Sequence, residues 1–226
     1  VGGAMQTPRA AAVYLCWIPL GADGHCVRAC GRAFEAIQAA TEHRRRSDLY
    51  HAALVVELGG ERYTIELAPS PDAGEAGRGV VATGAVGSPH LGWLRLFRYE
   101  VRCSRGGSIP DLGTAACPCW LSSDPRVARR LLQLVPVVPT PAWGRDELHA
   151  GEMWNSNSTA AWLIASAGLE TARLHPPADG RAPGWRAGLD VARRTPATAA
   201  TPRTPPRKEL IGCPPRSTGP IRSLHR

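Results

Sequence analysis

The segment LYHAALVVELGGERYTIELAP, residues 49–69, constrains the fold more than any other part of the chain. Two runs rich in β-branched and apolar residues flank Gly59-Gly60, and such a glycine pair is a strong signal for a two-residue hairpin turn. With the glycines as the turn, Leu58 lies opposite Glu61 and the pairing continues outward along both strands. The sequence therefore predicts a β-hairpin with a defined register.

This register sorts the hairpin side chains onto two faces. The predicted core face is apolar and carries Ala52, Leu54, Val56, Leu58, Tyr63, Ile65 and Leu67. The second face carries His51, Ala53, Val55, Glu57, Arg62, Thr64 and Glu66. Because diagonal neighbours on one face lie within reach of long side chains, we expect His51 and Glu66 to be close together.

Helix-like and strand-like patterns alternate along the rest of the chain. Strands are predicted at 12–19, 79–86 and 94–103, and apolar residues spaced by three and four predict a helix at 27–46. Another helix is expected to begin with Ser123 or Asp124 as its N-cap and Pro125 in its first turn. The order of these elements predicts an α+β domain with a mostly antiparallel sheet packed against a few helices.

Charge and composition divide the chain into a flexible N-terminus at 1–11, a domain at 12–192 and a tail at 193–226. The chain has 27 basic and 19 acidic residues; the tail holds eight of the bases and one acid, leaving 19 and 18 in the rest. Rich in Pro, Thr and Arg, the tail lacks the apolar residues for a core and is predicted to be disordered. Nucleic acid is therefore expected to bind at most weakly, through the tail.

Compartment and cofactors follow from what the sequence lacks. No apolar run approaches the roughly 20 residues of a membrane helix, and we expect neither a signal peptide nor a membrane partner. Seven scattered cysteines are typical of reduced thiols in a cytoplasmic protein. A zinc site from Cys26, Cys30, Cys117 and Cys119 is conceivable, but the spacings are not those of a zinc knuckle. We therefore expect no metal and no cofactor.

The segment WNSNSTAAWLIASAGL, which begins at Trp154, places small polar residues before an apolar run. Asn and Ser are preferred N-cap residues, so the segment predicts a helix that begins near Ser158 and ends around Gly168. A hydroxyl at the same place can also do chemistry, because the first N–H groups of a helix stabilise an oxyanion. The residues alone leave both interpretations open.

Together, LYHAALVVELGGERYTIEL and WNSNSTAAWLI resemble the circularly permuted papain-like superfamily, which includes the lecithin:retinol acyltransferase-like proteins and the PPPDE peptidases. In that superfamily a strand beginning with His precedes an Asn-Cys motif at a helix N-terminus, and a third polar residue lies on the strand after the His. The resemblance covers roughly residues 12–192. It is closer still to an uncharacterised group of actinobacterial proteins with similar WNSNS segments.

The resemblance implies a candidate catalytic triad. His51 takes the place of the general base, Glu66 that of the orienting residue, and Ser156 that of the nucleophile. Asn155 matches the Asn before the family's nucleophile. Because the chain has Ser where the family has Cys, the hydroxyl depends on a neighbouring base for its activation.

Three further residues complete the predicted site. Asn155, Trp154 and Trp143 are candidates for contact with the substrate. The resemblance implies a hydrolase or acyltransferase that acts on an amide or ester of a small molecule or peptide. The alternative is a catalytically inactive papain-like binding module.

Overall fold

A computed structural model of the chain describes residues 10–20, 35–70, 79–107, 118–177 and 180–194. These residues form one six-stranded sheet, in the order β4-β5-β3-β2-β1-β6, and every neighbouring pair is antiparallel. The strands are β1 (Ala11–Pro19), β2 (Tyr50–Leu58), β3 (Glu61–Pro69), β4 (Val80–Ala85), β5 (Arg98–Arg105) and β6 (Cys119–Ser122). The predicted α+β class with an antiparallel sheet is confirmed.

The hairpin of β2 and β3 has the predicted register. Leu58 pairs with Glu61 and Val55 with Thr64. Gly59 and Gly60 have φ angles of 61° and 81°, a backbone region that glycine enters without steric cost. The glycine pair therefore fixes which residues of β2 and β3 share a face.

Four helices accompany the sheet in the described residues. They are α1, whose described part is 35–41, then α2 (Pro125–Leu134), α3 (Ser156–Ser166) and α4 (Trp185–Arg194). The backbone N–H of Arg126 donates to the Asp124 side chain at 2.8 Å, which confirms the predicted N-cap of α2. Of the helix predicted at 27–46, residues 27–34 lie outside the described part and 44–46 are not helical.

The main core lies between one face of the sheet and helices α2, α3 and α4. Ala52, Leu54, Val56, Ile65 and Leu67, from the predicted core face of the hairpin, are buried there. Nearly every side chain of α3 is buried as well, because its apolar residues surround the helix instead of forming a stripe. Trp17 of β1 packs against Trp185 of α4 with ring centroids 4.9 Å apart. Helix α3 is thus an internal helix of the domain.

The opposite face of the sheet has a smaller apolar cluster. Cys16, Ile18, Ala53 and Val55 are buried together on it. This second face therefore is also covered where β1 and β2 meet. A side chain that packs in one of the two clusters can therefore be assigned to that face of the sheet.

Several boundaries differ from the sequence-based expectations. Strand β5 begins at Arg98, because Arg95–Phe97 form a 3-10 turn, and α4 was not predicted at all. Ala11 belongs to β1, and α4 extends through Arg194, so both ends of the domain lie slightly beyond 12–192. Residues 1–9 and 195–226 lie outside the described part. No helix within the described ranges combines the length and apolar character needed to cross a membrane.

Candidate functional site

The polar residues at the start of α3 cap the helix. Asn155 is the N-cap, and its Oδ1 accepts hydrogen bonds from the backbone N–H groups of Asn157 at 2.9 Å and Ser158 at 3.3 Å. The Ser158 hydroxyl accepts in return from the Asn155 backbone N–H at 3.1 Å, which completes a capping box. Capping, one of the two interpretations of NSNST, is therefore realised by Asn155 and Ser158.

The same side chains attach the segment before α4 to the start of α3. Asn155 Nδ2 and Asn157 Nδ2 donate to the Pro183 carbonyl at 2.8 and 2.9 Å, and the Ser158 hydroxyl donates to the Gly184 carbonyl at 2.7 Å. Gly184 has a φ of 86°, and a Cβ there would lie 2.7 Å from Asn155 Oδ1. Because this segment approaches so closely, no space remains for a substrate beside Asn155.

The start of α3 also reaches the start of the hairpin. Asn157 Nδ2 donates to the Tyr50 backbone carbonyl at 3.1 Å, one residue before His51. The late helix and the early hairpin therefore meet through a hydrogen bond from a side chain to the backbone.

The side chains of Ser156 and His51 nevertheless lie on opposite faces of the sheet. His51 pairs with Ile18, whose side chain belongs to the smaller cluster with Ala53. Ser156 instead borders Ala52 and Leu54 on the main core face. Since successive side chains of a strand point to opposite faces, the imidazole and the hydroxyl are separated by the sheet itself. The structure does not bring the predicted base to the predicted nucleophile.

Glu66 shares the face of His51, as predicted, but its carboxylate belongs to an ionic network. Arg102 Nη1 donates to Glu66 Oε1 at 3.4 Å, and Arg102 Nε donates to Glu100 Oε2 at 2.9 Å. The Ser70 hydroxyl donates to Glu100 Oε1 at 2.9 Å. Glu66 thus stabilises the pairing of β3 with β5 through Arg102.

Ser156 itself is 7% exposed. It borders a cavity of about 10 Å³ together with Glu66, Thr159 and apolar residues of the hairpin and of α3. Thr159 Oγ1, which also borders this cavity, is buried and has no hydrogen-bond partner among the described residues. The space is that of a single water molecule, so it does not admit an organic substrate.

Trp154 and Trp143 are packing residues. Trp154 is 2% exposed in the core, and its backbone pairs with Gly144 and Arg145. The Trp143 ring packs edge-on against Tyr99 with centroids 5.8 Å apart, and its backbone pairs with β4. Trp154 is thus enclosed in the core, and Trp143 is half-buried against Tyr99.

A larger cleft lies on the other side of the segment that is attached to α3. Its volume is about 320 Å³, and α1, residues 151–153 and residues 181–184 surround it. Its charged lining consists of Glu35, Glu42, Glu152, Arg44 and Arg181. The cleft therefore combines three carboxylates with two guanidinium groups.

Ion pairs hold most of these charges in place. Arg44 pairs with both Glu35 and Glu42, and Arg181 Nη1 donates to Glu42 Oε2 at 2.6 Å. Hydrogen bonds from Arg181 and then Arg44 lower the pKa of Glu42 to about 2. The Arg44 guanidinium is also the main cause of the lowered pKa of Glu35, assisted by the Ser47 N–H. Both carboxylates are therefore ionised at neutral pH.

Glu152 connects this cleft to the capped helix. Its Oε2 accepts from the Gly184 backbone N–H at 2.9 Å, and Gly184 in turn accepts from Ser158. Glu152 Oε1 has no hydrogen-bond partner in the part of the chain that the structure describes. One carboxylate oxygen at the rim of the cleft is thus available to a ligand.

Sequence reasoning missed this cleft because its residues come from segments far apart in the chain. Glu35 lies in α1, Glu42 directly follows it, and Arg181 lies in a Gly- and Pro-rich loop. No group of three or more His, Cys, Asp or Glu residues that fits a metal ion occurs within the described ranges, while Cys26, Cys30 and Cys117 lie outside them.

Comparisons with known proteins give no relative for this arrangement. No protein-family model matches the sequence. The search of curated proteins found no match, and neither did the search of solved structures. What the site can do is therefore argued from its residues alone.

Proposed function

We propose that the chain is a non-catalytic binding module, with a papain-like arrangement of hairpin and helix, and that its ligand occupies the cleft beside α1. The observation that carries the proposal is the cleft of about 320 Å³, with its three carboxylates and two guanidinium groups. This volume falls in the range of small-molecule sites. The separation of Ser156 from His51 by the sheet favours binding over catalysis.

The charges indicate what kind of ligand the cleft accepts. Arg44 and Arg181 neutralise Glu35 and Glu42, which leaves the charge of Glu152 uncompensated by an arginine. A cationic group, such as the end of a primary amine, matches the available Oε1 of Glu152. The ligand is therefore a small polar molecule or a peptide group that carries an ammonium.

Calorimetric titration with lysinamide, and with glutarate as the anionic comparison, tests this proposal. We expect saturable binding of lysinamide only, weakened about tenfold in Glu152→Gln because a charge-assisted hydrogen bond is lost. Glu61→Gln is the matched control, since Glu61 is an exposed carboxylate at the opposite end of the hairpin. Absence of saturable binding, or equal weakening in both variants, would reject the cleft as the site.

A hydrolase or acyltransferase that uses Ser156 is the second candidate. Its support is the position of Ser156 at the first residue of a buried helix, whose positive dipole end favours an oxyanion. Labelling by a fluorophosphonate probe, with Ser156→Ala as control, separates the two candidates. The binding module predicts no labelling of the folded protein. Labelling that Ser156→Ala abolishes and His51→Ala preserves would establish a serine nucleophile with a different base.

A further inference from the structure

The connection between β4 and β5 presents two large apolar side chains to solvent. In the segment SPHLGWLRLF, residues 88–97, Trp93 is 73% exposed and Leu96 is 85% exposed. Both values exceed those of the other exposed large apolar residues in the described part of the chain. Exposed apolar side chains of this size, close together, indicate a contact surface.

The backbone that carries them is well organised. Two 3-10 turns, Pro89–Leu91 and Arg95–Phe97, follow each other, with Leu94 N–H donating to the Leu91 carbonyl at 2.9 Å. Arg98 Nε donates across the loop to the Gly92 carbonyl at 2.6 Å. A loop that is already ordered pays little conformational entropy when it binds. The ordered backbone of the loop therefore holds Trp93 and Leu96 in exposed positions.

The loop sequence itself carries charge of one sign. Residues 86–99 contain no acidic side chain, while Arg95 is exposed between Trp93 and Leu96 and His90 is exposed before them. The next acid along the chain, Glu100, is buried and accepts hydrogen bonds from Ser70 and Arg102. The loop therefore combines an apolar tip with a basic side chain and contains no carboxylate of its own.

We propose that this loop docks the protein on the surface of a bilayer that contains anionic phospholipids. Trp93 and Leu96 enter the interfacial region, where an indole is favoured because one side is apolar and the N–H stays hydrated. Arg95 pairs with headgroup phosphates. The sequence-based expectation of no membrane partner rested on the lack of a spanning segment, and a surface contact of this kind needs none.

Size argues against a protein as the occupant. A Trp and a Leu together present on the order of 300 Å², whereas a stable protein interface buries about 800 Å² on each partner. A bilayer imposes no such minimum, because partitioning gains free energy with each side chain that enters.

Vesicle flotation of the full chain tests the proposal. Neutral phosphatidylcholine vesicles are compared with vesicles that contain about 30% phosphatidylserine, an anionic-leaflet composition. We expect binding to the anionic vesicles, reduced at least tenfold in the double variant Trp93→Ser/Leu96→Ser. Arg95→Gln weakens the binding by a few-fold and lowers its salt dependence. Trp120→Ser is the matched control, because Trp120 is 57% exposed on β6 at the other edge of the sheet.

The contrary outcomes are equally clear. Undiminished binding of the Trp93→Ser/Leu96→Ser variant would overturn the proposal, because the basic residues beyond Arg193 would then account for it. Equal loss in Trp120→Ser would do the same. Light scattering after size exclusion completes the test: a dimer of the parent that dissociates in the loop variant would assign the surface to a second copy of the chain. Unchanged thermal melting of each variant confirms that folding is intact.

Discussion

Replacement of Gly188 by alanine tests the close approach of α4 to α3. Gly188 lies within α4, where a Cβ would be 2.1 Å from the Ser158 carbonyl oxygen and 2.8 Å from Ala161 Cβ. Both neighbours belong to α3, which is buried on all sides. Neither contact ends in a flexible side chain, so the two helices would have to separate by about 1 Å to accept the methyl group.

Two opposing effects set the size of the change. Alanine favours a helix interior over glycine by about 1 kcal/mol. Overpacking a buried contact costs about 1–3 kcal/mol, and the upper end applies here because backbone atoms lie on both sides. The separation also strains the hydrogen bond of Ser158 to Gly184. We therefore expect Gly188→Ala to lower the free energy of unfolding by about 2 kcal/mol.

Urea unfolding followed by circular dichroism measures this effect. With an m value of about 2 kcal/mol/M, the midpoint should fall by roughly 1 M. Arg186→Ala is the control, since Arg186 is exposed on the same helix and should change stability by less than about 0.5 kcal/mol. A Gly188→Ala variant that is as stable as the parent, or more stable, would refute the close packing of α4 on α3.

Three other measurements address single groups. Burial raises the pKa of the Cys16 thiol to about 11, so iodoacetamide at pH 8 should spare it in the folded protein and alkylate it after unfolding, as peptide mass spectrometry reports. Thr159→Val should raise the free energy of unfolding by about 1 kcal/mol in urea titrations, because a buried hydroxyl without a partner is removed; a decrease would mean that water satisfies it. Because the folded pKa of Glu42 is about 2, below its unfolded value, its stabilisation is complete above about pH 4.5 and is lost as the pH falls towards 2. Glu42→Gln should therefore reduce the fall in melting temperature between pH 5 and pH 2. An unchanged dependence of the melting temperature on pH would exclude a contribution from this ion pair.

The hairpin was predictable because its signals are local. A two-residue turn needs positive φ angles, which Gly59 and Gly60 accept. The alternation of apolar residues on either side then fixes the register. The start of α2 was predictable for the same reason, since Asp124 and Pro125 act within one turn. A structural feature that depends only on residues close together in the chain can therefore be predicted from the sequence.

Helix α4 shows the opposite case. Its sequence WRAGLDVARR follows a Gly- and Pro-rich loop and has Gly188 in its interior, where glycine disfavours a helix. The reason for the glycine is the approach of α3, whose Ser158 carbonyl leaves no room for a Cβ. A residue chosen for a tertiary contact thus weakens the local signal of its own helix, and the contact is not visible before the fold is known.

The separation of Ser156 from His51 has a cause that connects these two levels. The hairpin register alone separates His51 and Glu66 from the apolar face of Ala52 and Leu54. Helix α3 is apolar on all sides and packs on that apolar face, where β2, β3 and α4 bury it. The start of the helix can then approach the backbone of Tyr50 while the sheet lies between Ser156 and the imidazole of His51. A motif that pairs a strand His with a helix nucleophile therefore requires the His on the core-facing side of its strand, and in this chain Tyr50 and Ala52 occupy those positions.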